Sequence, residues 1–273
     1  MFRDQIQADG DSYLPIGQLL PLVSSPAGLV CAVIHGYCDG SNSDGLIGLG
    51  AYVAPTVFWG QFEAAWPTVL AGRVPGVHMK DLYRRTDPRA FAGVSQDVAT
   101  AVVDDCVTYL SGLSMFAFRR YSCVVRLADF EAAQKQAPGL AGKTAQDICV
   151  DACTGRIFRP HLQEPGDPER NIVLFFDGNE PFRHRINRVF ERERNRRENG
   201  WSPFVRSIGA VDNSDNSVLP LQACDVLAWV ARRYRANNDH KPWHDALCGG
   251  SPRQFNYHDF FDYDALMAKY GEP

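Results

Sequence analysis

Apolar residues early in the chain fall into two short runs, at 29–38 and 46–54, which have the composition of β-strands. The polar segment between them is rich in Gly, Asn and Asp, which are typical turn residues. The pattern therefore predicts a β-hairpin with Asp39 at its shoulder. After Pro55, large apolar residues recur every three to four positions up to Gly72, which predicts a helix.

Helical and strand-like patterns alternate along the rest of the chain. Helices are predicted over 91–113, 141–157, 182–197 and 219–236, and strands over 115–127, 171–176 and 204–211. This alternation after an initial hairpin is typical of an α/β layer fold with a mixed sheet. Residues 1–28 have no sustained period and are predicted to form an arm, 29–240 one domain, and 241–273 a C-terminal extension packing on that domain.

Composition limits the class of protein. The chain has 273 residues, of which 45% are hydrophobic, so it is long enough to bury a substantial core. Its net charge of -4 excludes a basic coat over the whole surface, so any contact with nucleic acid has to come from a local patch. The scattered cysteines lie mostly in apolar runs and no signal or membrane-spanning pattern is recognised, which predicts a reduced, cytoplasmic protein without a membrane partner.

Acidic residues interrupt or follow apolar segments at four places: Asp39, Asp81, Asp177 and Asp225. A carboxylate at the rim of a buried strand costs free energy unless a cation, a donor or water compensates it. Two carboxylates about 4 Å apart repel by roughly 4 kcal/mol at an effective dielectric constant of about 20. If the fold brings these acids together, we expect the cluster to hold a divalent cation, and carboxylate oxygens suit Mg²⁺ or Mn²⁺.

Each acid also has a plainer interpretation. Asp39 can be a turn residue of the hairpin, and Asp177 a turn residue ahead of the following helix. Asp225 can be an exposed position of an amphipathic helix. Glu63 and Glu180 are further candidates for the remaining acid of the cluster.

His78 precedes Asp81 by three residues, so the two side chains would share one face of a helical turn. In that arrangement His78 can shuttle a proton or bind a metal. The alternative is a structural histidine held by hydrogen bonds.

Cysteine spacing gives only a weak indication of zinc. Cys149 and Cys153 with His161 do not have the spacing of a zinc motif, and a second cysteine pair is missing from the sequence. The two cysteines are instead expected on one face of a helix, since residues four apart stack on the same side.

Arginine is concentrated in the segment 182–206, which contains eight arginines against three glutamates. Guanidinium groups grip phosphates in a bidentate manner, and this segment begins next to Asp177, where a nucleic-acid backbone would have to be steered. The predicted nucleic-acid contacts are Arg183, Arg185, Arg188 and Arg192. The alternative is a solvated helix with internal Arg–Glu pairs.

The segment Tyr-Cys-Asp-Gly-Ser at 37–41, with Gly-Leu-Gly-Ala-Tyr at 48–52, resembles the first hairpin of ribonuclease H. The chain more specifically resembles the bacterial family called domain of unknown function 3800, a ribonuclease H-like group. The blocks that carry this resemblance are Asp-Gly-Ser at 39–41, His-Met-Lys-Asp at 78–81 with Phe-Ala-Gly at 91–93, Phe-Asp-Gly-Asn-Glu-Pro-Phe at 176–182, and Leu-Pro-Leu-Gln-Ala-Cys-Asp-Val-Leu-Ala at 219–228. Two positions depart from it, because many members have Glu in place of Gly40 and commonly Ala in place of Cys224.

The resemblance implies a mixed five-stranded sheet flanked by helices, with Asp39, Asp177 and Asp225 as acidic-site positions and His78 with Asp81 as the His-x-x-acid segment. The sequence therefore predicts a metal-dependent nuclease that holds Mg²⁺ or Mn²⁺ on these acids and hydrolyses DNA or RNA, with His78 helping in proton transfer. The alternative is a non-catalytic ribonuclease H-like binding or accessory module of a mobile-element or phage-defence system.

Overall fold

The computed structural model describes residues 33–84, 93–113, 118–162, 171–177, 205–211, 217–238, 240–249 and 256–272, together with Phe182, Arg185, Arg188 and Glu191. The predicted arm at 1–28 and the candidate acid Glu180 lie outside the described residues. Of the predicted helix at 182–197, the described positions Arg185, Arg188 and Glu191 are helical.

Strands and helices alternate as the sequence predicts. The strands are β1 (Val33–Ser43), β2 (Leu46–Pro55), β3 (Arg119–Arg126), β4 (Asn171–Asp177), β5 (Val205–Val211) and β6 (Asn256–Phe261). The helices are α1 (Thr56–Leu70), α2 (Met79–Arg84), α3 (Gln96–Gly112), α4 (Leu127–Gln134), α5 (Ala145–Leu162), α6 (Leu219–Asn237), α7 (Lys241–Cys248) and α8 (Tyr263–Tyr270), with a 3₁₀ turn at Pro138–Leu140. Within these ranges, no helix is both long and apolar enough to cross a membrane.

The strands form one mixed sheet in the order β5-β4-β1-β2-β3-β6. Strand β1 is antiparallel to β2 and parallel to β4, and the β4–β5 and β3–β6 pairs are also parallel. The prediction of an α/β fold with a mixed sheet flanked by helices is confirmed, and strands β1 to β5 come from the predicted domain at 29–240. The predicted extension at 241–273 adds a further strand, because β6 pairs with β3 at the edge of the sheet.

The turn of the first hairpin lies further along the chain than the sequence analysis predicts. Strand β1 continues through Ser43, and the turn consists of Asp44 and Gly45, which both have positive φ, at 57° and 71°. Two such residues make the type of turn whose twist matches antiparallel strands. The prediction that Asp39 lies at the shoulder of the hairpin is therefore wrong, since Asp39 lies inside β1 opposite Gly50 of β2.

Successive strand residues point to opposite faces of the sheet, and a helical layer covers each face. Tyr37 of β1 belongs to the core formed with α1, α3 and α6. The next residue, Cys38, belongs to the core formed with α5 and α8. Cys149 and Cys153 both lie buried in that second core, which confirms the prediction that they share one face of a helix.

Candidate acidic site

Helix α6 lies directly on strand β2, because Gly48 and Gly50 have no side chains that would hold it away. A Cβ atom on Gly50 would lie 2.5 Å from the carbonyl oxygen of Cys224 and 2.7 Å from the backbone nitrogen of Ala228. Both atoms belong to the backbone of α6, so the helix and strand touch without side chains between them. The Cys224 thiol also donates a hydrogen bond to the carbonyl oxygen of Tyr37 in β1, at 3.0 Å. The start of α6 is thereby fixed over the β1–β2 hairpin.

Asp225 follows Cys224 and is almost fully buried, with 5% of its surface exposed. Its Oδ2 atom accepts a hydrogen bond of 2.6 Å from the backbone N–H of Met79. Burial raises the pKa of the Asp225 carboxyl to about 6, although the charge of His78 and the bond from Met79 act to lower it. The interpretation of Asp225 as an exposed helix position is therefore wrong, and the site contains a buried carboxylate whose charge is poorly compensated.

Gln222 lies one turn before Asp225 on α6 and was not recognised from the sequence as part of the site. Its Oε1 atom accepts hydrogen bonds of 2.9 Å from the indole N–H of Trp66 and from the backbone N–H of Val77. Gln222 and Asp225 thus hold the N–H groups on either side of His78, which fixes the backbone there. The available signal was a polar residue three positions before Asp225 inside a largely apolar helix.

His78 and Asp81 form the pair that their spacing predicts. His78 Nδ1 lies 2.5 Å from Asp81 Oδ2, and 42% of the His78 side chain is exposed to solvent. Burial acts against a charged imidazole, but the negative charge of Asp225 and the hydrogen bond and charge of Asp81 outweigh it and raise the pKa of His78. The His78–Asp81 pair is therefore close enough to the buried Asp225 to interact with its charge, and His78 is itself partly exposed to solvent.

Asp39 and Asp177 lie at the same level on the neighbouring strands β1 and β4. The last paired residues of these two strands are Cys38 and Phe176, and each aspartate is the next residue along its strand. Two residues earlier, the rings of Tyr37 and Phe175 stack with their centroids 5.2 Å apart on the α6 side of the sheet. Because side chains alternate along a strand, Asp39 and Asp177 share that face.

The face that carries Asp39 is also the face on which α6 lies. Asp39 is 6% exposed, its Oδ1 atom accepts a hydrogen bond of 2.7 Å from the N–H of Gly40, and its partner on β2 is Gly50. Burial and then neighbouring negative charge, including that of Asp39 and Asp225, raise the pKa of the Cys224 thiol between them. The structure thus brings Asp39, Asp177, Asp225 and the His78–Asp81 pair to one side of the sheet.

Carboxylate oxygens predominate in this group, which is the donor chemistry that Mg²⁺ and Mn²⁺ prefer. The excess of buried negative charge at Asp225 fits a cation as well. Among the residues that the structure describes, however, no three His, Cys, Asp or Glu side chains form a ready-made metal site. The donor chemistry and charge therefore suit a divalent cation, whereas the described side chains are not arranged as its ligands, and Asp39, Asp177 and Asp225 stay the predicted ligands.

Glu63 lies on α1, where burial raises the pKa of its carboxyl. Glu63 takes part in neither of the two contacts that hold the site together. These contacts are the hydrogen bond from Met79 to Asp225 and the pair of His78 with Asp81. Asp81 is therefore the better candidate for the remaining acid of the site.

Two of the arginines predicted to contact nucleic acid, Arg185 and Arg188, lie beside a carboxylate of the protein itself. Arg185 Nη1 lies 2.7 Å from Asp147 Oδ2 on α5 and also donates to the hydroxyl of Thr144, while Arg188 Nη2 lies 3.5 Å from Asp147 Oδ1. Helix α5 packs on the face of the sheet opposite α6, so the carboxylate that these two arginines contact belongs to the opposite helical layer. The other two predicted contacts, Arg183 and Arg192, lie outside the described residues.

Comparison with known proteins does not assign the chain to a family. No protein-family model matches it, and a search of curated proteins finds no match. The resemblance to the family domain of unknown function 3800 and to ribonuclease H therefore stays a prediction that rests on the sequence blocks.

Proposed function

We propose that this protein is a metal-dependent nuclease that hydrolyses phosphodiester bonds in DNA or RNA. The observation that carries the proposal is the position of Asp225, a buried carboxylate that α6 holds over the β1–β2 hairpin beside the His78–Asp81 pair. A protein that retains a costly buried charge next to a partly exposed histidine has the arrangement expected of an acid–base site.

The chemistry of the donors supports Mg²⁺ or Mn²⁺ as the cofactor. Asp39, Asp177 and Asp225 would hold the cation, and its charge would offset the burial that raises the pKa of Asp225. When bound, such a cation supplies an activated water and stabilises charge on the phosphate oxygens.

The protein's own groups would prepare the proton transfer. Asp81 Oδ2 would accept a hydrogen bond from the Nδ1–H group of His78 and fix the ring, so that Nε2 is the atom that holds or delivers a proton. Since the pKa of His78 is raised, the imidazolium form is more populated near neutral pH and can protonate a leaving oxygen. Gln222 fixes the backbone before His78 and thereby limits its movement.

The metal site can be tested separately from catalysis. We expect Mn²⁺ to raise the melting temperature of the wild-type protein in a saturable manner, and this rise to be lost in Asp39→Asn and Asp225→Asn. Asp105→Asn on α3 is a matched control, since this exposed acid pairs with Arg73 away from the site. A wild-type protein that is indifferent to Mn²⁺ and Mg²⁺ would contradict the proposed cofactor.

Catalysis requires a second assay, with single-stranded, duplex and hybrid substrates. We expect metal-dependent cleavage that falls at least about 100-fold in Asp225→Asn and in Asp177→Ala, and that Asp105→Asn retains. Cleavage that persists in Asp225→Asn would place the active site elsewhere.

The second candidate is a non-catalytic binding or accessory module with the same fold. One observation favours it, namely that the described residues do not form a three-ligand metal group. Nucleic-acid binding without cleavage, unchanged by Mn²⁺ and by Asp225→Asn, would support this module over the nuclease.

A further inference from the structure

A second buried charge lies on the same face of the sheet but nearer its other edge, on strand β3. Arg120 is only 3% exposed, and its described hydrogen bond runs from Nη1 to the carbonyl oxygen of Leu247 in α7, at 3.2 Å. Its Nε atom is buried without an acceptor, and no ion pair is found for it within the described part of the chain. A buried guanidinium without a counter-charge is strongly unfavourable.

Arg232 on α6 is another buried arginine of this protein, and it has a fuller set of hydrogen-bond acceptors. It is 2% exposed, its Nε donates to Ser41 Oγ at 2.9 Å, and its Nη1 donates to Asp44 Oδ2 at 2.9 Å. Arg232 therefore has a carboxylate and a hydroxyl, whereas Arg120 has one carbonyl.

Two further donors beside Arg120 have no acceptor. Tyr52 on β2 is the direct partner of Arg120, and its buried hydroxyl makes no hydrogen bond. His258 on β6 is the direct partner of Ser122, whose Oγ lies 2.8 Å from His258 Nδ1, while the buried Nε2 makes no hydrogen bond. If Ser122 donates to Nδ1, Nε2 carries the proton, so each of three adjacent strands presents one unused donor on the face that α7 covers.

The nearby ionisable groups do not supply the counter-charge. Burial raises the pKa of the Cys248 thiol to about 12 and also raises the pKa of the Tyr52 phenol, so both stay neutral at pH 7. Burial, with positive charge from His244, Arg120 and Arg235, lowers the pKa of His258 to about 3, so this ring is neutral as well.

The carboxylates on the elements around the cluster are engaged elsewhere. Asp104 on α3 accepts from the indole N–H of Trp243 at 2.5 Å, and Asp245 on α7 pairs with Lys241. Asp259 on β6 pairs with Arg156 of α5 on the opposite face of the sheet. Asn256 on β6, the direct partner of Arg120, offers a buried Oδ1 atom as an acceptor, but this atom is neutral. The negative charge that would balance Arg120 is therefore still missing.

We propose that Arg120, Tyr52 and His258 bind a small inorganic anion of about the size of chloride. It accepts hydrogen bonds from the guanidinium Nε, the phenol hydroxyl and the imidazole Nε2, and it neutralises the buried arginine. The site takes a small ion because Tyr52 is fully buried and Arg120 nearly so, which leaves no opening for an organic ligand. The anion joins β2, β3 and β6 beneath α7 and so ties the C-terminal segment to the domain.

The test compares thermal unfolding of the full chain in sodium chloride with unfolding in sodium isethionate, a larger anion, at equal ionic strength. We expect the melting temperature of the wild type to rise with chloride and to saturate. Arg120→Gln should weaken the apparent chloride affinity at least tenfold. Arg126→Gln is the control, because this more exposed arginine of the same strand already pairs with Asp129. Crystals grown in bromide should show an anomalous peak beside Arg120.

A second variant keeps the test decisive if Arg120→Gln does not fold. Tyr52→Phe removes an unsatisfied hydroxyl, so in isethionate it should be at least as stable as the wild type, whereas its chloride affinity should fall several-fold. A wild type without a saturable response to chloride, an unchanged response in Tyr52→Phe, or bromide bound away from Arg120 would overturn the proposal, and water would then fill the site.

Discussion

The acidic site and the cluster around Arg120 are two buried charged regions on the same face of the sheet, and they differ in sign and in access to solvent. At the acidic site the excess charge is negative, and His78, 42% exposed, connects it to solvent. Around Arg120 the excess charge is positive and enclosed. An open site can exchange an ion and admit a substrate, whereas an enclosed one can keep an ion as part of the fold. The comparison is therefore in keeping with the two proposals, an exchangeable ion at the first region and an ion kept as part of the fold at the second.

The largest expected effect comes from separating α6 from β2, which would destroy the acidic site. In Gly50→Ala, the new Cβ would meet backbone atoms of Cys224 and Ala228 at 2.5 and 2.7 Å, and neither atom can turn away. We expect a loss of at least about 2 kcal/mol in the free energy of unfolding, measured with urea. Gly60→Ala is the control, because nothing lies within 4 Å of its Cβ, and it should be neutral or stabilising by up to about 1 kcal/mol. If the two variants were equally stable, the close packing of α6 on β2 would be refuted.

The next largest effect on stability is expected when the uncompensated negative charge of Asp225 is removed. Folding raises the pKa of Asp225 from 3.8 to about 6, so the folded state loses stability as the pH rises through this window. Asn at this position can still accept from Met79 but cannot ionise. We therefore expect Asp225→Asn to be more stable than the wild type by about 1 to 3 kcal/mol at pH 8, with the difference vanishing near pH 4.

Urea unfolding at several pH values measures this difference. Asp105→Asn is the matched control, because it removes a carboxylate from an exposed position and leaves Asp225 in place. A destabilised Asp225→Asn at pH 8 would show that the carboxylate is well compensated in the folded protein, and the contrast between the two regions would fail.

A smaller effect is expected at the His78–Asp81 pair. The raised pKa of His78 means that its charged form stabilises the fold at low pH and that this contribution is lost as the pH rises through the folded pKa. Asp81→Asn removes a negative partner, so the pKa of His78 should fall. The accompanying loss of stability should stay below about 1 kcal/mol, since the histidine is partly exposed. NMR titration of the imidazole measures the shift, and an unchanged midpoint would mean that Asp81 does not act on His78.

The sequence predicted what depends on local pattern and missed what depends on contacts between distant segments. Strand and helix composition located β1, β2 and α6, and aspartates at the ends of apolar runs pointed to Asp39 and Asp225. The role of Gln222 could not be predicted, because its partner Val77 lies 145 residues away in sequence. For the same reason, the alternation of β3 does not reveal that Arg120 lacks a carboxylate, since that depends on how β2, β6 and α7 pack around it.

The arginines after β4 allow a direct choice between two roles, and Arg188 is the position with the smallest expected effect on stability. Arg185 pairs closely with Asp147 and Thr144, so Arg185→Ala should cost about 1 kcal/mol, whereas the exposed Arg188 at 3.5 Å should cost less than about 0.5 kcal/mol. If these arginines instead contact phosphate, each substitution would leave stability unchanged and reduce the dependence of nucleic-acid binding on salt by about one ion. Measuring both quantities on the same two variants decides whether the positive charge after β4 belongs to the fold or to a nucleic-acid surface.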